Sequence, residues 1–399
     1  MRSFPRHIQR CLPLCLFAPV LFGILGWPLT LGAQEPPPFQ LQVDHSKHGM
    51  VSAAQPLATW AGVQILEAGG NAADAAVAAA FAIAVVEPTM NSIGGRTQIL
   101  VRLPSGEVRG IDATTQAPAT YDPDQAPQAS YGYAVIGVPG AVAGLVRLQG
   151  EFGTLPLETV MEPAIRFARE GFPVNAIVAG QFASAAEEAS EFDGTRQYYL
   201  KPDGSPFGEE EILVNEDLAR TLTTISKREG EDFYRGDIAR RMAEDIQANG
   251  GAVTFQSLNE YRAEDAVIVR GSYRGFELVG SYIPAAGALA IEALHILENF
   301  DLRSMGPAER AAHVGMALRL AFEDWRLQGP SEMAEQLTSK EWAAQRAGEM
   351  AMGSGAGGAS SAASGPDPWL HLSGSHTTHL STADDDGMMV ALTQTLGPN

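Results

Sequence analysis

The sequence predicts a layered protein of mixed helices and strands, of the α/β or α+β class, with one helix at its centre. Residues 72–86 are nearly all Ala, Val, Ile and Phe, and a helix that is apolar on every side is buried on every side. Helical stretches alternate with short strand-like runs, several of them joined as hairpins. Hydrophobic residues make up 45% of the 399, which excludes a disordered or fibrous protein.

The first 33 residues have the three parts of a secretory signal peptide. Arg2, Arg6 and Arg10 form a basic start, an apolar stretch follows to about Leu31, and small residues end it at Ala33. A membrane anchor is the alternative, and the prolines within the stretch disfavour it. We therefore expect an exported protein, periplasmic or extracellular, without a stable membrane anchor.

The charge and the cysteines exclude several classes of function. Without residues 1–33 the chain keeps 24 basic and 47 acidic residues, a charge of −23, and it loses Cys11 and Cys15, its two cysteines. So acidic a chain does not neutralise a phosphate backbone, which excludes nucleic acid as the main partner. Disulfides, a Cys nucleophile and Cys-bound zinc are excluded as well.

Two helices are predicted to open the globular part, after a flexible, Pro-rich lead-in at residues 34–47. An apolar repeat that ends at Ile65 predicts the first helix. Asn71, followed three residues later by Asp74, has the pattern of an N-terminal cap for the second, central helix, which Pro88 ends.

Further elements follow from periodicity and turn residues. The predicted strands are 99–103, 108–112, 135–138, 266–270, 275–279 and a final hairpin of 378–383 with 389–393. The predicted helices are 141–148, 157–170, 216–227, 236–249, 287–298 and 307–327. Residues 351–368 form a low-complexity linker, in which a G-x-G-x-x-G run has no preceding strand and therefore does not indicate a dinucleotide site.

The usual catalytic motifs of serine hydrolases, nucleotide enzymes and zinc proteases are absent. His371, His376 and His379 lack helical spacing, which disfavours a metal cluster. The three aspartates at 384–386 are more typical of a solvated turn than of a calcium loop. We expect neither a metal nor a cofactor.

Thr377 is the remaining candidate, at the start of the final hairpin. A hydroxyl is a weak nucleophile, but a threonine at a chain terminus has its own α-amine as a base, and that amine titrates near neutral pH. This chemistry requires cleavage of the chain before Thr377. On the residues alone, the pair Thr377-Thr378 is equally an ordinary strand start.

From His48 to Leu396 the sequence resembles the gamma-glutamyltransferase (gamma-glutamyl transpeptidase) family of N-terminal-nucleophile hydrolases. The most specific matches are HGMVSAAQPLATWAGVQILEAGGNAADAAVAAAFAIAVVEP and TTHLSTADDDG…ALTQT; others are AVIGVPGAVAGL, MEPAIRFAREGFPV and EDFYRGDIA. The resemblance implies an αββα sandwich, made as a proenzyme and cut into a large and a small subunit. It also implies small γ-glutamyl amides, such as glutathione, as substrates.

The resemblance also implies roles for particular residues. Cleavage would fall between His376 and Thr377, Thr377 would be the nucleophile, and Thr395 would hydrogen-bond and orient it. The chain would then divide into a large-subunit-like region at 48–376 and the start of a small-subunit-like region at 377–399, with most small-subunit strands missing.

The sequence departs from the family where substrate is expected. Thr114 stands where the family has an arginine for the substrate α-carboxylate. Arg96 is either a substitute cation or a structural arginine. Three functions stay open: an enzyme that cleaves or transfers γ-glutamyl or related acyl groups, an acylase or amidase for other substrates, and a non-catalytic exported binding or scaffold protein with a degenerate site.

Overall fold

The computed structural model describes residues 44–122, 124, 129, 131–327, 329, 332–353 and 375–398. The predicted signal peptide, most of the lead-in and residues 354–368 of the predicted linker lie outside these residues. The α-helices are α1 Pro56–Glu67, α2 Ala72–Val86, α3 Ala141–Phe152, α4 Leu157–Glu170, α5 Ala176–Glu191, α6 Asp193–Tyr199, α7 Glu216–Lys227, α8 Glu231–Arg235, α9 Asp237–Ala248, α10 Phe255–Glu260, α11 Gly287–Glu298, α12 Pro307–Trp325, α13 Glu332–Leu337 and α14 Lys340–Gly353. The strands are β1 Gly49–Ala53, β2 Arg96–Arg102, β3 Val108–Ala113, β4 Phe172–Pro173, β5 Ile212–Leu213, β6 Glu264–Asp265, β7 Ile268–Tyr273, β8 Phe276–Ser281, β9 Ser375–Asp384 and β10 Met389–Pro398.

Helix α2 lies at the centre of the main core, as its composition predicts. All fifteen of its residues are buried. The Asn71 side chain accepts hydrogen bonds from the N–H groups of Ala73 and Asp74, and the Asp74 carboxylate accepts from the N–H of Asn71. This reciprocal cap confirms the predicted start of the helix.

An antiparallel sheet of six strands packs against α2, in the order β1-β9-β10-β2-β3-β6. The hairpin of β9 and β10 therefore lies between two strands from the N-terminal part of the chain. Alternate residues face the helices and are buried, among them Ile99, Leu380 and Leu392. The residues between them form the opposite face, which carries most of the candidate site.

Helices α11, α12 and α14 form a second cluster with the hairpin of β7 and β8. Its buried residues include Ile296, Leu320 and Ala343. The predicted mixture of helix and sheet layers is thus confirmed. No helix in the described part of the chain is both long and apolar enough to cross a bilayer.

The predicted strand at 135–138 is wrong. Residues Tyr133–Val135 form a turn of 3₁₀ helix, and only Val138 bridges to Gln116. Pro139 follows at once, so the segment has no room to pair further. Helix α14 also continues to Gly353, into the first residues of the predicted linker.

The acidic turn of the hairpin is only partly solvated. Asp385 and Asp386 are exposed, but the Asp384 carboxylate accepts hydrogen bonds from the N–H of Ala72 at 2.9 Å and from the N–H of Met388 at 2.9 Å. Asp384 thus binds the start of α2, where the helix dipole favours a negative charge.

Candidate functional site

Thr377 and Thr395 are direct neighbours across β9 and β10. The Thr377 hydroxyl donates a hydrogen bond to the Thr395 hydroxyl at 3.1 Å. The Thr395 hydroxyl in turn donates to the carbonyl oxygen of His376. One hydroxyl therefore contacts both Thr377 and the carbonyl of the peptide bond that precedes it.

A β-bulge shapes this end of the hairpin. The register shifts between Thr395 and Gly397, so that His376 pairs with Gly397 and Leu396 has no partner. Gly397 has a φ of +114°, and its N–H donates to the Thr395 hydroxyl at 3.0 Å. The bulge therefore adds a donor that holds the Thr395 side chain in place.

The backbone of Gly95 approaches Thr395 closely. A Cβ at Gly95 would lie 2.4 Å from the carbonyl oxygen of Thr395, so no larger residue fits without movement of the strand. The carbonyl oxygen of Gly95 also accepts hydrogen bonds from the N–H groups of Gly140 and Ala141, both at 2.9 Å. The segment before β2 thereby ties the site to the start of α3.

Arg96 continues the row formed by Thr377 and Thr395. It pairs with Thr395 across β10 and β2, so the three side chains share one face of three neighbouring strands. Arg96 is half-buried and makes no ion pair among the described residues. As far as the described residues extend, a guanidinium without an anionic partner is therefore present on the face that carries Thr377.

Thr114 lies just beyond β3, in a network with Gln98 and Asp112. The Gln98 amide donates to the Thr114 hydroxyl at 2.7 Å and to the Asp112 carboxylate at 2.5 Å. The Thr114 N–H also donates to Asp112, at 2.9 Å. Gln98 lies two residues after Arg96 on the same face, so β2 connects the two substrate-binding candidates.

Gln98 is a site candidate that the sequence does not predict. The available signal was the two-residue spacing from Arg96, which carries information only once both residues are known to lie on a strand. The oxygen of the Gln98 amide, Oε1, is buried and has no hydrogen-bond partner among the described residues. It is an acceptor beside Thr114 that a ligand N–H or O–H group could use.

His379 lies on the same face as Thr377 but makes other contacts. Its Nδ1 is 2.8 Å from the Thr393 hydroxyl, and its Nε2 is 3.2 Å from the Ser381 hydroxyl. Burial lowers the pKa of His379, which favours a neutral ring at pH 7. Within the described ranges no group of three or more His, Cys, Asp or Glu side chains is arranged to hold a metal ion, and His371 lies outside them.

The chain is similar to a known protein family over most of its length. A family model for gamma-glutamyltranspeptidase matches residues 58–398. The glutathione hydrolase proenzyme of Escherichia coli (strain K12) is 32% identical over 368 residues, which are 88% of this chain and 63% of that protein. The chain thus spans less than two thirds of the length of this curated relative.

Two solved structures have the same arrangement of helices and sheets. Helicobacter pylori gamma-glutamyltranspeptidase superposes with a TM-score of 0.74 and 30% identity, over 77% of this chain and 93% of that chain. Cephalosporin acylase from Bacillus halodurans superposes with a TM-score of 0.77 and 31% identity, over 91% of this chain and 69% of that chain. These likenesses confirm the fold class predicted from the sequence.

Proposed function

Because the chain belongs to the gamma-glutamyltranspeptidase family, we propose that it is an autoprocessing enzyme which cleaves or transfers acyl groups of small amides. The observation that carries the proposal is the contact of one hydroxyl, that of Thr395, with both the Thr377 hydroxyl and the His376 carbonyl oxygen. Thr377 is the proposed nucleophile, and Thr395 orients it.

Self-cleavage would begin with attack of the Thr377 hydroxyl oxygen on the carbonyl carbon of His376. The C–N bond to Thr377 breaks, the Thr377 nitrogen takes up the hydroxyl proton and becomes an amine, and an ester joins the two residues. Water then hydrolyses the ester to the His376 carboxylate and a free Thr377 hydroxyl. The hydrogen bond from Thr395 to the His376 carbonyl oxygen supports the first step, because it stabilises negative charge that develops there.

The new α-amine of Thr377 would then serve as the base for substrate turnover. It titrates near neutral pH and can accept the hydroxyl proton of the same residue. The acyl group of the substrate passes to the Thr377 oxygen, the amine leaves, and water or a second amine takes the acyl group. Thr395 would hold the nucleophile by the hydrogen bond that it already accepts.

The acyl specificity that we propose differs from that of a γ-glutamyl enzyme. Thr114 is neutral and engages Gln98 and Asp112, so it provides no clamp for an α-carboxylate. The guanidinium of Arg96, which has no ion-pair partner in the described part of the chain, is the cation that we propose for an anionic group of the substrate. The likeness to a cephalosporin acylase supports acyl groups other than γ-glutamyl.

We also propose that the chain is exported and that it is cut into two subunits. Residues 1–33 would be removed as a signal peptide, and the chain would act in the periplasm or outside the cell. Cleavage before Thr377 would separate a large-subunit-like region, 48–376, from a region that begins at 377. A small-molecule amide is the proposed partner.

Mass spectrometry of the purified chain tests the proposal. We expect a new N-terminus at Thr377 in the wild type and in Thr377→Ser, which keeps a hydroxyl at that position. Thr377→Ala removes the attacking oxygen and should stay uncut. An uncut, folded wild-type chain would refute self-cleavage and favour the non-catalytic binding or scaffold protein.

A further inference from the structure

Four polar residues are buried behind the two threonines, on the helix-facing side of the sheet. Glu87 follows the last residue of α2 and is 8% exposed, and Asn91 is fully buried four residues later. Thr378 and Gln394, which pair across β9 and β10, are 5% and 1% exposed. They are the immediate chain neighbours of Thr377 and Thr395, and their side chains point to the opposite face.

This cluster has polar atoms without partners. Glu87 Oε2, Asn91 Oδ1, Thr378 Oγ1 and both terminal atoms of the Gln394 amide are buried and make no hydrogen bond among the described residues. Apolar residues of the same size would avoid the cost of burying these groups. A concentration of four such residues behind one pair of threonines therefore indicates a role beyond packing.

Glu87 is the titratable member of the cluster. Burial raises the pKa of its carboxyl, and the nearby Thr378 hydroxyl lowers it by a smaller amount. The two groups thus face each other, although their atoms do not reach hydrogen-bond geometry. Burial favours the protonated form of this carboxyl, and that form has an O–H that can be donated to an acceptor on the sheet.

The carboxyl is also firmly attached to the core. Its residue ends α2, and the Glu87 N–H donates to the carbonyl of Ile83 at 2.9 Å. The N–H groups of Met90 and Asn91 donate back to the Glu87 carbonyl at 3.1 and 3.4 Å. Because α2 packs against β9, this rigid helix end brings the carboxyl close to Thr378, the residue after Thr377.

We propose that Glu87 is a positioning residue for Thr377. Its carboxyl supports Thr378 from the helix side and so fixes the end of β9 that presents the Thr377 hydroxyl to the Thr395 hydroxyl. The link to chemistry rests on the proposed function, whereas the support of β9 does not depend on it.

Hydrogen exchange tests the support of β9 by Glu87 separately from its effect on the chemistry of Thr377. The measurement uses the full chain with Thr377→Ala throughout, so that no variant is cut. In Glu87→Ala we expect amide exchange at residues 376–379 to rise by about tenfold or more, while exchange at 389–392, at the other end of the hairpin, stays unchanged. Glu87→Gln keeps the shape of the side chain and its ability to hydrogen-bond, and its exchange should stay within about threefold of the parent.

Two further variants keep the experiment decisive. Met161→Ala makes a cavity beside α4, which packs against α2 and α7, and should leave residues 376–379 protected. If Glu87→Ala unfolds, Thr378→Val removes the facing hydroxyl with little change of shape and should loosen the same amides. Unchanged exchange at 376–379 in a folded Glu87→Ala or Thr378→Val chain would overturn the inference.

The cleavage assay then tests the connection to Thr377. With Thr377 restored, Glu87→Ala should slow the appearance of the new N-terminus by about tenfold, and Glu87→Gln should cleave at close to the wild-type rate. A wild-type chain that never cleaves, with exchange at 376–379 raised by Glu87→Ala, would refute the proposed function and leave the support of β9 intact. Equal cleavage rates in wild type and Glu87→Ala would refute the positioning role.

Discussion

Asp74 links the central helix to the segment that follows α3. Its carboxylate is fully buried and accepts hydrogen bonds from the Gln149 amide at 2.6 Å, the Thr154 hydroxyl at 2.7 Å and the Leu155 N–H at 3.1 Å. Burial by itself raises the pKa of Asp74, but these hydrogen bonds outweigh it and hold the pKa below its ordinary value. The folded state therefore favours the ionised carboxylate.

Asp74→Asn should destabilise the protein at pH 7 by about 2–4 kcal/mol, because the amide cannot accept the same set of hydrogen bonds. Since the pKa is lowered by folding, this stability is present above the unfolded pKa of 3.8 and is lost as the pH falls through the folded value. In urea unfolding at several pH values, the difference in the free energy of unfolding between wild type and Asp74→Asn should thus become smaller in acid. Asp385→Asn, at the exposed hairpin tip, is the control and should show no difference at any pH.

Thr114→Arg tests the acyl specificity. A guanidinium at this position could bind an α-carboxylate with two hydrogen bonds, so we expect kcat/KM for a γ-glutamyl anilide to rise about tenfold or more relative to an anilide that lacks the α-carboxylate. Thr114→Gln is similarly polar but neutral and should leave the ratio near that of the wild type. A wild type that already prefers the γ-glutamyl anilide would contradict our interpretation of Thr114.

Among the elements, α14 is held against α11 and α12 by a buried pair of acids. Glu292 and Asp324 are 1% and 5% exposed, and the Trp342 indole N–H donates to both, at 2.9 and 3.0 Å. Arg346 pairs with Asp324 at 2.9 Å. Burial, followed by the hydrogen bond and charge of Asp324, raises the pKa of Glu292 to about 9.

Because the pKa of Glu292 is raised, this pair makes the protein less stable as the pH becomes alkaline. Since the folded pKa of Glu292 lies above its unfolded value of 4.5, its contribution is complete below pH 4.5 and is lost as the pH rises through about 9. Glu292→Gln keeps a neutral group beside Asp324 and should flatten this dependence in thermal unfolding between pH 6 and about pH 9. Glu349→Gln, which alters an outer partner of Arg346, should keep the wild-type slope.

Elements with a buried face are the ones that the sequence predicts. The composition of α2 and its cap predict both its extent and its place in the core. Helix α5 is not predicted because only Val178 and Phe182 of its residues are buried, which leaves no apolar stripe to detect. Likewise, motif resemblance predicts Thr377 and Thr395, but Gln98 and Glu87 join the site only through strand register and helix packing, which local patterns do not encode.

The whole molecule is organised around a sheet whose central strands come from both ends of the described chain. Hairpin β9-β10 is hydrogen-bonded to β1 on one side and to β2 on the other. It also buries Leu380, Val390 and Leu392 against the helices, and each buried side chain of this kind contributes about 1.5–3 kcal/mol. A cut between α14 and β9 therefore leaves the hairpin with most of its contacts.

We expect the two fragments of such a cut chain to remain associated. A specific protease site placed within residues 354–374 of the Thr377→Ala chain allows cleavage without self-processing. The C-terminal fragment should co-elute with the rest in size-exclusion chromatography and separate only in denaturant. Leu392→Asp, which buries a charge under the sheet, should release the C-terminal fragment. Release from the unmutated chain would show that the hairpin depends on its covalent link.

The order of strands also determines when the sheet can form during synthesis. The chain emerges from the ribosome N-terminus first, so β1 is made more than 300 residues before β9, the strand with which it pairs. Thr395, which contacts the carbonyl oxygen of His376, is made eighteen residues after Thr377. Under the proposed cleavage, a nascent chain therefore cannot cut itself before β10 has been translated and has paired with β9, and the cut becomes a record that this hairpin has formed.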